Sequence, residues 1–87
     1  MNAEKWREIK TLGEFNEIRS RGSGYVVITD KADESTVHAT SCGQLTEARF
    51  ADKVIRNESK FGGFFWTDDL DFAMYKWDAY KCGNCLR

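Results

Sequence analysis

Apolar residues recur along this chain in short, type-specific patterns that change every ten residues or so. Leu12, Phe15 and Ile18 are three apart and share one helical face, and Thr11-Leu12-Gly13-Glu14 ahead of them fits a capping box. The Gly22-Ser23-Gly24 stretch supplies residues that tolerate positive φ at a helix end, so a helix is expected at about residues 12–21. Tyr25-Val26-Val27-Ile28-Thr29 is β-branched and aromatic and runs into Asp30, Lys31, Asp33 and Glu34, the pattern of a strand followed by a polar turn. Thr36-Val37-His38-Ala39 is expected to return beside it as a hairpin.

The second half repeats the alternation of types. Leu45, Ala48, Phe50, Ala51, Val54 and Ile55 are apolar without strict alternation, which predicts a second helix between residues 45 and 55. Phe61-Gly62-Gly63-Phe64-Phe65-Trp66 reads as a third strand whose glycines mark a bulge or a close backbone approach. Leu70, Ala73, Met74 and Trp77 then follow the i, i+3, i+4, i+7 template, with Thr67 or Asp68 as the cap. Asp68, Asp69 and Asp71 crowd its first turn, where the helix dipole favours negative charge, so capping accounts for them better than a hard-metal or catalytic carboxylate site. Trp6 and Ile9 are candidate anchors for the N-terminal segment, which has no assigned conformation. The expected fold is α+β in the order α-β-β-α-β-α: a small antiparallel sheet of about three strands with two to three helices.

With 87 residues, the chain suits one domain spanning 1–87. Domains of this size bury only about 60% of the surface their unfolded chains expose, so a metal or disulfide staple is a common supplement to the core. Thirteen basic and fourteen acidic side chains give a formal charge of −1, which excludes a globally basic nucleic-acid binder and leaves only a local patch for that role. No apolar run approaches the roughly 20 residues of a membrane span, and the N-terminus lacks a signal-peptide layout. A soluble, cytoplasmic protein with no membrane partner is the expectation. Three cysteines leave one over from any paired set, which fits a reducing compartment.

The chain's one histidine and three cysteines fall into His38-x3-Cys42 and Cys82-x2-Cys85, separated by 39 residues. Zinc takes four nitrogen or thiolate ligands in a tetrahedron, and structural sites are commonly built from two ligand pairs on tight turns. Gly83 and Asn84 between one pair, and Gly43 after the other, suit such turns. A buried apolar cysteine and a satisfied core histidine are the ordinary reading of either pair alone, but together the two pairs complete one ligand set. His38, Cys42, Cys82 and Cys85 are therefore the expected ligands of one structural zinc ion that staples the fold. Since all four positions are protein ligands, no position is left for a catalytic water. A thioredoxin-like redox role for C-G-x-C is the competitor, but no downstream helix follows to activate the first thiol.

Two further patterns bear on partners. Arg49, Lys53, Arg56 and Lys60 are spaced four, three and four and form one basic stripe if the second helix reaches Lys60, although Asn57-Glu58-Ser59 resembles a helix end. Exposed aromatics beside cations stack on bases, and Phe65 in the Phe61, Phe64, Phe65, Trp66 cluster is the candidate, against the ordinary reading of such residues as core. No enzyme is expected, because the sole histidine is committed to metal.

Val37-His38-Ala39-Thr40-Ser41-Cys42, Phe64-Phe65-Trp66-Thr67-Asp68-Asp69-Leu70 and Lys81-Cys82-Gly83-Asn84-Cys85 together resemble a class of small bacterial zinc modules with an H-x3-C pair and a terminal C-x2-C, loosely similar to the Ada-type metal-binding domain. The likeness spans Tyr25 to Leu86 and lies in spacing. It implies a DNA-associated accessory role as nucleic-acid-binding module, though the four-cysteine methyl-transfer chemistry of Ada-type sites does not carry over to a site with His38. The alternative is a protein–protein interaction module or small stand-alone inhibitor or adaptor.

Overall fold

In the computed structural model, the residues described are 6–30, 34–43, 45–58, 60 and 62–83. They form an α+β fold built on a five-stranded mixed sheet. Strands β1 (Trp6–Ile9), β2 (Tyr25–Ile28), β3 (Thr36–Ala39), β4 (Phe64–Thr67) and β5 (Tyr80–Lys81) lie in the order β1-β4-β2-β3-β5. The four longer strands pair antiparallel, and β5 joins β3 in parallel. The helices are α1 (Leu12–Arg21), α2 (Glu47–Phe50), which continues as a π-helical segment Ala51–Arg56, and α3 (Leu70–Lys76).

The expectation of about three antiparallel strands is corrected at both edges. β1 alternates Trp6, Arg7, Glu8 and Ile9 with no β-branched run, and β5 has two residues, too few to show any period. β5 is nevertheless fixed, because Tyr80 N donates to Ser35 O at 2.9 Å and Cys82 N to Val37 O at 2.9 Å.

Pleating sorts the sheet residues between two cores. Ile9, Phe64 and Ile28 stand in register across three strands, as do Trp66, Val26 and His38. This face meets Phe15, Ile18, Leu45, Phe50 and Val54 from α1 and the α2 region, with Cys42 and Cys82 in the same cluster. Phe15 stacks on Phe50 at 4.9 Å, and Phe64 meets both rings edge-on at 5.8 and 5.2 Å. Phe65, Val27 and Val37 form the opposite row, which α3 covers through Ala73, Leu70, Met74 and Trp77. Two helical layers thus enclose the sheet.

The capping box of α1 is complete. Glu14 N donates to Thr11 Oγ1 at 3.1 Å, and Glu14 Oε1 accepts from Thr11 N at 3.1 Å and Lys10 N at 3.0 Å. Phe15 and Ile18 are buried as the spacing predicts, whereas Leu12 in the first turn is exposed. α3 is capped by Asp69, whose Oδ1 accepts from Phe72 N at 3.0 Å, and not by Thr67 or Asp68. Thr67 is the last residue of β4, paired with both Tyr25 and Trp6, so the helix starts later. Thr11→Ala is expected to cost about 1 kcal/mol in chemical denaturation. The backbone N–H of Lys10 holds the Glu14 carboxyl below its ordinary pKa against an opposing effect of burial, with the N–H and side chain of Thr11 and the charge of Arg7 adding to the lowering. Its contribution is present above the unfolded carboxylate range and lost as pH falls through the lower folded value. The stability gap between the native chain and Glu14→Gln should therefore close on acidification, and a gap independent of pH would refute that assignment.

Candidate metal centre

His38, Cys42 and Cys82 reach one point from three local structures. β3 alternation turns His38, not Val37, toward the α1/α2 face. Just past β3 the chain folds in a tight turn, with Cys42 N donating to Ala39 O at 3.0 Å, and a second turn follows as Leu45 N donates to Cys42 O at 3.1 Å. Cys82 is the first residue after β5, and its bond to Val37 O anchors it beside β3.

The ligand atoms of the three residues all lie within 4.8 Å of one another, and the two sulfurs are 4.0 Å apart. Tetrahedral zinc with Zn–S near 2.3 Å sets sulfurs roughly 3.8 Å apart, so the arrangement needs little adjustment to take the ion. All three side chains are buried, and His38 Nδ1 has no hydrogen-bond partner among the described residues. A buried nitrogen of that kind costs about 1–3 kcal/mol unless something satisfies it, and a metal ion would do so. Burial, and then the nearby positive charge of Arg49, lowers the His38 pKa and favours the neutral imidazole, which is the ligating form. The donor set therefore fits zinc. Cys85, the expected fourth ligand, lies outside the described residues, as does Phe61.

Cys82 follows a strand and sits against Cys42 and His38, and among the described residues no helix begins at it to lower its thiol pKa in the way a thioredoxin-type site requires. His38 and Cys82 also line a cleft of about 440 Å³, together with Arg49, Lys53, Tyr80 and Lys81.

The proposed basic stripe is dispersed. The helix ends at Arg56, with Asn57 N donating to Asp52 O at 3.2 Å, so Lys60 lies beyond it. Lys53 is largely buried and donates to Thr29 O at 2.9 Å and Asp30 Oδ2 at 3.2 Å. Arg56 pairs with Asp52 at 3.4 Å on the exposed surface, and Arg49 is exposed near His38. Phe65 belongs to the α3 side of the sheet, half-buried against Trp6 and Trp77 at 5.9 and 5.3 Å, while Arg49, Lys53 and Arg56 are carried by the α2 region, whose Phe50 and Val54 pack on the other side. These three cations and the ring do not share a surface.

Sequence reasoning missed the aromatic group of Trp6, Phe65 and Trp77 and the placement of Lys76 over it. Its only signal was the Lys76-Trp77 pair at the end of α3, since Trp6 is distant in sequence. Comparison with known proteins adds no family: no family model matches the chain, and no curated protein or solved structure is significantly similar to it. No helix among the described residues is long and apolar enough to cross a membrane.

Proposed function

We propose that this chain is a non-enzymatic binding domain held together by one structural zinc ion on His38, Cys42, Cys82 and Cys85. The observation that carries the reading is the meeting of three buried ligand atoms within 4.8 Å around an unpartnered imidazole nitrogen. Zinc with four protein ligands supplies cross-linking and no open coordination position, so the ion acts on the fold. Metal analysis of the purified chain should give one zinc per molecule, falling with Cys85→Ser as with Cys82→Ser. Retention of full zinc content by Cys85→Ser would remove Cys85 from the site.

For the partner, the separation of Phe65 from Arg49 and Arg56, which the α2 region carries on the other side of the sheet, favours a protein over a nucleic acid. The nucleic-acid accessory reading retains one supporting feature, the presence of Arg49 and Lys81 on the cleft beside His38 and Cys82. Titration of labelled DNA and RNA at low salt decides between them, with no binding as the expected result. Salt-sensitive binding weakened by Arg49→Glu or Arg56→Glu would reinstate the nucleic acid.

A further inference from the structure

On the face of the sheet away from the metal centre, three rings form a corner that already holds a cation. Trp6 and Trp77 stand perpendicular, at 90° with centroids 5.7 Å apart, and Phe65 closes the angle between them at 5.9 and 5.3 Å. The Lys76 ammonium sits in this corner, 4.6 Å from the Trp6 ring centroid and 5.7 Å from that of Trp77. Two perpendicular indoles turn more than one negative π-face toward a single point, which is how aromatic walls hold an ammonium group. Glu8 lies two residues from Trp6 on the same face of β1 and directly across from Phe65, adding a carboxylate beside the cluster. Its Oε1 is 3.8 Å from Lys10 Nζ.

We propose that Trp6, Phe65 and Trp77 form a recognition site for a quaternary or N-methylated ammonium group, in which Lys76 acts as an internal stand-in. Three properties of the corner support this. Lys76 is on an exposed turn of α3, so its long side chain swings out without disturbing the core. Trp6 and Trp77 are only half-buried, and their positions are fixed from behind by the sheet and by α3. A primary ammonium is strongly hydrated and gives up water reluctantly to enter such a corner, whereas a methylated ammonium is weakly hydrated and presents methyl groups to the rings. An external methylated cation therefore competes with Lys76 on favourable terms. The proposal does not depend on the zinc reading, because none of its residues touches the metal centre.

The indole N–H resonances test it on the full chain as purified. The chain has three tryptophans, and Trp66 lies on the other face of the sheet, donating Nε1–H to Ser23 O at 3.2 Å. Titration with tetramethylammonium chloride, balanced by potassium chloride at constant ionic strength, should shift two of the three indole signals saturably and leave the Trp66 signal in place. Lys76→Ala removes the internal competitor and should bind about threefold tighter, the ratio a single exposed cation–π contact accounts for. Absence of saturable shifts in folded Lys76→Ala, or equal movement of all three signals, would overturn the site. Trp6→Leu should abolish the response, and should that variant misfold, the Lys76→Ala titration decides alone. A peptide bearing trimethyllysine, compared with its unmethylated form, identifies the source. Binding at least about tenfold tighter than the free ion assigns a methylated protein segment, and equal affinity assigns a small free quaternary ammonium.

Discussion

Chelation of the proposed zinc ion, or Cys82→Ser, is expected to abolish the cooperative thermal transition of this domain. Apparent zinc-binding free energies of about 10–16 kcal/mol in small zinc peptides match or exceed the whole stability expected of 87 residues, about 4–13 kcal/mol. The damage has a defined route. Cys42 and Cys82 belong to the same buried cluster as Leu45 and Phe50, so the ligands are part of the core and not an appendage. Without the ion His38 Nδ1 remains buried and unpartnered, and β5 is left with its two-residue pairing to β3. Once β5 separates, Ala79 no longer packs with Val37, and the α3 side of the sheet opens as well. Circular dichroism and calorimetry before and after verified removal of metal, followed by zinc repletion, measure this directly. A melting curve that does not change on removal would end the structural-zinc reading, whereas restoration by zinc and not by magnesium would support it.

The same elements explain what the sequence revealed and what it hid. The β2–β3 hairpin was legible because its side chains are β-branched and a polar turn separates its strands, and the pleat of β3 is what carries His38 to the core face. α1 was legible because the capping box and Gly22 mark both ends with side-chain chemistry that acts locally. The edge strands were not, since β1 and β5 take their structure from partners distant in sequence and carry no period of their own. Likewise, helical spacing grouped Arg49, Lys53 and Arg56 but gave no information on what each would meet. Thr29 O and Asp30 draw the Lys53 ammonium inward, and both lie more than twenty positions away. Phe65 illustrates the finer limit: its neighbours Phe64 and Trp66 take one face of β4, and the pleat sends Phe65 to the other, away from Arg49, Lys53 and Arg56.

The glycine pair ahead of β4 leads to a second large effect, expected for Gly62→Ala. Gly62 has φ +138°, a backbone conformation that side-chain-bearing residues rarely adopt, and a Cβ built there would lie 1.9 Å from Thr29 O and 2.6 Å from Thr29 C. Neither atom can yield cheaply. Thr29 N donates to Gly63 O at 2.9 Å and Gly63 N to Thr29 Oγ1 at 2.8 Å, which extends the β2–β4 pairing one step past Ile28 and Phe64. Thr29 O is also the acceptor for the Lys53 ammonium, so moving it disturbs the contact that joins the π-helical segment to β2. Forced φ and a backbone clash together should cost on the order of 3 kcal/mol or more in chemical denaturation. Gly22→Ala is the matched control, because Gly22 has φ +69° and nothing within 4 Å of a built Cβ. It isolates conformational strain, at about 1–2 kcal/mol. Equal losses for the two variants would show that the close approach of residue 62 to Thr29 contributes nothing; a loss at Gly62 well above that at Gly22 would place the join between β2, β4 and the helical layer at this contact.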